Sequence, residues 1–187
     1  MPIDRRSCLA ALAATFATPL RAADGELTRR TAHGFSCERP GGKPIALAAL
    51  GGPALVVNTA TACGFAPQLT GLEQIHLRFS ARGLTVLAVP SNDFGQQEPL
   101  ADHHVEEAMR ANFGITFPVA AIARVSGPEA HPFYRWAAAE MPGEAPRWNF
   151  HKYLVGRDGA LLAAFPSPTQ PTDPRVIRAI ADALAPS

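Results

Sequence analysis

Apolar positions in this chain switch between a run and a helical period, and the switch marks the elements. Ala54-Leu55-Val56-Val57 is a continuous apolar run that predicts a buried strand over 54–59. Over residues 66–80, Leu69, Leu72, Ile75 and Phe79 recur at helical spacing and form one apolar face. Glu73, His76 and Arg78 are expected to turn outward on that helix. Gly83 closes it, as a residue tolerant of positive φ should. Leu84–Val89 is a second buried strand, ended by Pro90. Strand, helix and strand in that order over 54–89 predict a crossover with two parallel strands.

Beyond it, Pro99–Phe113 carries a weaker helical pattern, and Pro118–Val125 reads as a strand or extended segment. His131–Glu140 reads as a short helix with Pro132 in its first turn, where proline is tolerated. Tyr153-Leu154-Val155 and Leu161–Phe165 flank Gly156-Arg157-Asp158-Gly159, and the Asp-Gly pair supplies a hairpin turn. Asp173-Pro174 is a cap followed by a first-turn proline, opening a last helix with Val176, Ile177, Ile180 and Leu184 inward. A βαβ unit, a hairpin and a closing helix make an α/β, thioredoxin-like fold. Its central mixed β-sheet is flanked by helices, in a single domain over 23–187.

Composition narrows the classes. The chain has 187 residues, 47% hydrophobic and 18% charged, enough for one ordinary core without disulfide staples. A net charge of +1 with no basic run leaves no electrostatic footprint for nucleic acid. The first 22 residues are a separate segment. Arg5-Arg6 precede an Ala/Leu/Thr stretch from Leu9 to Leu20, followed by Arg21-Ala22-Ala23. That describes an export signal, twin-arginine-like although Cys8 and Ala10 depart from the usual pattern, and implies an exported, periplasmic protein. The apolar span is shorter than the about 20 residues that cross a bilayer.

Two cysteines remain after residue 22, Cys37 and Cys63. Cys37 lies in Gly34-Phe35-Ser36-Cys37-Glu38, read as a strand entering a hairpin turn, and is expected to be a half-buried structural thiol rather than half of a disulfide. Cys63 ends Asn58-Thr59-Ala60-Thr61-Ala62-Cys63, where strand pattern gives way to helix pattern. The positive end of a following helix favours a thiolate, the reactive form of sulfur. Gln97, in Phe94-Gly95-Gln96-Gln97-Glu98, and Trp148-Asn149 supply neutral hydrogen-bond donors that resist oxidation and deprotonation. One nucleophilic sulfur among neutral donors points to peroxide chemistry. Adjacent His103 and His104 on a predicted helix should diverge into solvent, and no His, Cys or carboxylate spacing matches a zinc site.

Three separated motifs carry a resemblance. Asn58-x-Ala60-x-x-Cys63-Gly64, Pro90-Ser91-Asn92-Asp93-Phe94-Gly95-x-Gln97-Glu98-Pro99 and Trp148-Asn149-Phe150-x-Lys152-Tyr153-Leu154-Val155 resemble the glutathione peroxidase family, in order, as does Asn112-Phe113-Gly114-Ile115-Thr116-Phe117-Pro118. The similarity runs from about Phe35 to Pro166. It implies a peroxidatic cysteine at Cys63, with Gln97, Trp148 and Asn149 at the family's other catalytic positions. No bound cofactor is implied; electrons come from an external thiol such as glutathione or thioredoxin. The expected reaction reduces hydrogen peroxide and organic or lipid hydroperoxides through a Cys63 sulfenic acid.

Departures from the family pattern matter as much. Many relatives resolve the sulfenic acid with a second cysteine, and the matching position here is about Met109. Ser91 stands where relatives often have another cysteine. An external thiol, or else Cys37, must then complete the cycle. The segment Trp136–Arg147 lacks the insertion of tetrameric relatives, which implies a monomer with an open site. Other thiol enzymes fit less well: a Cys-x-x-Cys reductase needs sulfur at Ala66, a peroxiredoxin needs Pro at Val56 and a hydroxyl at Ala60, and a copper module needs sulfur near Pro67. A non-turnover peroxide sensor or thiol-redox relay of the same fold is the alternative of a different class.

Overall fold

Ser36–Cys37 (β1) and Ile45–Ala46 (β2) form a short antiparallel hairpin that precedes the main sheet. Next come Ala54–Thr59 (β3), Gln68–Phe79 (α1) and Thr85–Pro90 (β4), the expected crossover. Then follow Asp102–Phe113 (α2), Pro132–Glu140 (α3), Lys152–Val155 (β5), Leu161–Phe165 (β6) and Pro174–Ala183 (α4). The computed structural model describes residues 31–185, so the expected export signal over 1–22 lies outside the described residues. The sheet order is β4-β3-β5-β6, with β3 parallel to β4 and antiparallel to β5.

Side chains alternate across this sheet, so each strand feeds two layers. Leu55, Val57 and Leu154 pack with Leu69, Leu72 and Ile75 of α1 and with Val176 and Ile180 of α4. Val56, Leu87 and Tyr153 face the other way, onto Phe133, Tyr134 and Ala137 of α3. The helix starts follow local chemistry. His131 and Asp173 sit at the N-caps of α3 and α4 and accept the amides of Phe133 and Arg175, each with proline in the first turn. Residues 118–125 form no strand; Val119 makes one parallel bridge to Ala88 and the rest is extended.

Four expectations need correction. Glu73 does not turn outward: it is buried, and its carboxylate accepts the Thr116 amide at 2.8 Å and the Thr116 hydroxyl at 2.7 Å. A helical charge count misses this because the partner comes from the loop after α2. His76 is likewise half-buried, edge-on to Phe117. His103 and His104 are exposed, but they do not diverge; their ring centroids are 4.0 Å apart. Cys37 is fully buried rather than half-buried.

Glu73 thus staples α1 to the loop that follows α2. Glu73→Ala removes both acceptors and should cost about 1–3 kcal/mol in urea unfolding, whereas Glu73→Gln, which keeps one carbonyl oxygen, should cost less.

Candidate active site

Cys63 lies in the turn between β3 and α1, and the helix begins only at Gln68. The expected helix end is therefore not against the sulfur. The Phe65 amide donates to its Sγ at 3.4 Å. The thiol is 5% exposed and packs in the same layer as Ala60, Ala66 and Leu69.

Two other segments close on this turn through hydrogen bonds of named geometry. The Ala62 amide donates to the Gln97 carbonyl at 2.9 Å. One residue earlier, the Thr61 amide and hydroxyl donate to the buried Glu98 carboxylate at 2.9 and 2.6 Å. From the sheet side, the fully buried Asn58 side chain uses both of its ends. Its Nδ2 donates to the Trp148 carbonyl at 3.1 Å and its Oδ1 accepts the His151 amide at 3.1 Å, while the Phe150 amide donates to the Asn58 carbonyl at 2.6 Å. Gln97 is thus tied directly to the loop that carries Cys63, and the Trp148-Asn149-Phe150 segment to the end of β3 that leads into that loop.

The amides are also oriented. Asn149 Nδ2 donates to Gln97 Oε1 at 3.0 Å and to the Phe94 carbonyl at 3.3 Å. Asn149 Nδ2 thus has an acceptor for each of its two N–H groups, one of them the Gln97 oxygen. With its oxygen held, Gln97 presents its NH₂ as the end left for donation. Trp148 lies at the rim, 39% exposed, its ring 6.0 Å from that of Phe94. A side chain at Gly95, at φ 68, would meet Gln97 and Trp148 at 3.5 Å.

Among the described residues, two non-glycine residues take left-handed backbone, and they flank this group: Gln96 at φ 51 and Phe150 at φ 67. Such a conformation costs on the order of 1–3 kcal/mol and persists only where the surroundings hold it. A half-open cleft of about 440 Å³ lies alongside, with Phe65, Arg147, Trp148, His151, Pro166 and Ser167 in its walls. Cys37 is not part of the site. It packs in the opposite layer, is 3% exposed, and burial with Glu38 nearby pushes its thiol up to about 11. Met109 is buried on α2 in the Cys63 layer.

Sequence reading missed the supports Asn58, Glu98, His151 and Lys152. Three of them stood within the quoted motifs, but a motif gives no sign that a carboxylate or an amine will be buried. Burial lowers Lys152 from 10.5 to about 7, and burial together with the Lys152 charge lowers His151 from 6.5 to about 4.

Comparison with known proteins gives a consistent picture. The family model described as Glutathione peroxidase matches residues 32–138. The "Hydroperoxy fatty acid reductase gpx1" of Synechocystis is 39% identical over 153 residues, covering 76% of this chain and 90% of that protein. The crystal structure of T. cruzi GPX1 superposes with a TM-score of 0.66 at 26% identity, covering 83% of this chain and 97% of that one. A thioredoxin family thiol:disulfide interchange protein from Chlorobium tepidum shares the fold at 20% identity, with a TM-score of 0.56 over 81% of this chain and 93% of its own. The fold is thioredoxin-like.

Because His151 is held neutral in the fold but charges once unfolded, the unfolded state binds more protons between about pH 4 and 6.5. Stability should rise with pH across that window and be lost on acidification, by on the order of 3 kcal/mol. Urea midpoints measured from pH 4 to 7 should show the slope, and His151→Leu should flatten it.

Proposed function

The chain belongs to the glutathione peroxidase family, and from that premise we propose how its residues carry the thiol-dependent reduction of peroxides. It is an oxidoreductase acting on peroxide. The observation that carries the assignment of roles is the Asn149–Gln97 bond, which occupies the Gln97 oxygen and leaves its NH₂ as the donating end, next to the loop of Cys63.

The Cys63 thiolate attacks one peroxide oxygen; the S–O bond forms as the O–O bond breaks, giving a sulfenic acid and, after protonation, an alcohol or water. A first external thiol displaces water from the sulfenic acid to give a mixed disulfide, and a second releases reduced Cys63 and the oxidised thiol. Magnitudes favour a leaving-oxygen role for the donors. A cysteine of ordinary pKa near 8.5 is about 3% thiolate at pH 7. Lowering such a pKa to about 6 gives roughly 30-fold more thiolate, but the accompanying loss of nucleophilicity removes about 13-fold. Only about twofold remains. Gln97 and Trp148 therefore act chiefly on the negative charge developing at the departing oxygen, as an oxyanion hole does.

The reductant is an external small thiol or a thioredoxin-like protein. Met109 has no thiol, and Cys37, in the opposite core layer, is no partner for Cys63. The half-open cleft beside Trp148 and the name of the Synechocystis relative support organic and lipid hydroperoxides as substrates besides hydrogen peroxide. The short Trp136–Arg147 segment supports a monomer. Arg5-Arg6 and the apolar stretch after them support export through residues 1–22 and work in the periplasm.

Gln97→Ala should slow reaction of Cys63 with hydrogen peroxide by about 10²-fold, the scale of one lost oxyanion donor, while alkylation by iodoacetamide changes little. Equal losses in stopped-flow and alkylation assays would refute the leaving-oxygen role. In steady state, glutathione or thioredoxin should sustain turnover of cumene hydroperoxide; a single stoichiometric oxidation with neither would favour a sensor. Sedimentation should give one chain, and a tetramer would count against the open site.

A further inference from the structure

Lys152 takes no part in the peroxide chemistry described above, yet it is fully buried beneath it. On β5 it stands directly opposite Val57 of β3, so its side chain leaves the sheet on the face of Val57, in the layer that holds Cys63. Among the described residues no carboxylate forms an ion pair with it. Its Nζ instead donates to two backbone carbonyls, of Phe150 at 2.6 Å and Thr169 at 2.7 Å.

Neither carbonyl lines the cleft itself, but each sits next in sequence to a segment that does: Phe150 beside Trp148 and His151, Thr169 beside Pro168. Phe150 is the left-handed residue at φ 67, immediately after Asn149. Thr169 follows Pro166, Ser167 and Pro168, which line the cleft. That segment is tied in turn to the start of α1, where Gln68 Nε2 donates to the Ser167 carbonyl at 2.7 Å. One amine thus bridges the strained end of the Trp148-Asn149-Phe150 segment and the end of the Pro166–Pro168 segment. An amine in either protonation state keeps at least two N–H donors, so both bonds survive loss of its charge. A buried methionine would fill the same slot but leave both carbonyls without their partner.

We propose that Lys152 is a positioning residue for peroxide reduction: it holds the Phe150 carbonyl, fixes the left-handed turn there, and so keeps the Asn149 amide on the Gln97 oxygen. The proposal rests on the reading of Cys63 as the peroxidatic thiol. It acts through Gln97, and that dependence separates it from a lysine that merely stabilises the fold.

The test is a cycle of Lys152→Met and Gln97→Ala on the full chain, reading two reactions of Cys63. Lys152→Met should slow oxidation by hydrogen peroxide about tenfold or more, with iodoacetamide alkylation within about twofold of wild type. Added to Gln97→Ala, it should cost no more than about twofold further, because the group it positions is already gone. Lys152→Gln, which keeps one donor arm, should lose less than Lys152→Met. The proposal is overturned if Lys152→Met lowers the unfolding midpoint but leaves peroxide reactivity at the wild-type rate, or if the losses with Gln97→Ala multiply. It is overturned equally if both lysine variants fail to fold, since the residue would then serve the fold alone. A wild-type protein inert to peroxide would instead sink the peroxidase reading itself.

Discussion

A carboxamide has a donating end and an accepting end, and the site depends on the accepting end of Gln97 being held. Asn149 holds it, and Asn149 is fixed in turn because its nitrogen faces two oxygens, Gln97 Oε1 and the Phe94 carbonyl. Reversing Asn149 would set oxygen against oxygen twice, so hydrogen-bond chemistry chooses the orientation. On the proposed role of Gln97, reversing it would present an oxygen where negative charge develops as the O–O bond breaks. On the proposed leaving-oxygen role, the donor is thus set before peroxide arrives, which is the condition under which a dipole stabilises a transition state without reorganising.

Holding that pair draws on groups that a simple core would exclude. Asn58, Glu98 and Lys152 are all buried, and each bonds to the backbone of a neighbouring loop rather than to an opposite charge. Removing a side chain of this kind leaves its partners unsatisfied, which costs about 1–3 kcal/mol for each buried group. The arrangement also supports left-handed backbone at Gln96 and Phe150, on either side of the amide pair in sequence. The sheet supplies the frame. β3 ends at Thr59, next to the Cys63 turn, and β5 begins at Lys152, just after the Trp148-Asn149-Phe150 segment, so antiparallel pairing brings the two segments together.

Much of this was legible in the chain. The 54–89 crossover, the 153–165 hairpin and the Asp173-capped helix follow from periodicity and turn chemistry, which are local signals. Glu73 was not legible, because its partner Thr116 lies in a distant loop and a charged residue on a helix ordinarily faces water. The amides at Gln97 and Asn149 could be named from their motifs, but not which would donate and which would orient. That division depends on a contact between residues 52 apart in sequence. The start of α1 was placed too early because Ala66 and Pro67 continue the apolar pattern, while the backbone there still makes the tight turns that bring the Phe65 amide to sulfur.

The central claim is that Cys63 breaks an O–O bond and becomes a sulfenic acid. Fully reduced protein mixed with one equivalent of cumene hydroperoxide and trapped with dimedone measures it directly. One cumyl alcohol should be released per chain and one dimedone adduct should form at Cys63, and neither should form with Cys63→Ser. Intact hydroperoxide in the presence of folded, reduced protein, or an adduct confined to Cys37, would contradict it.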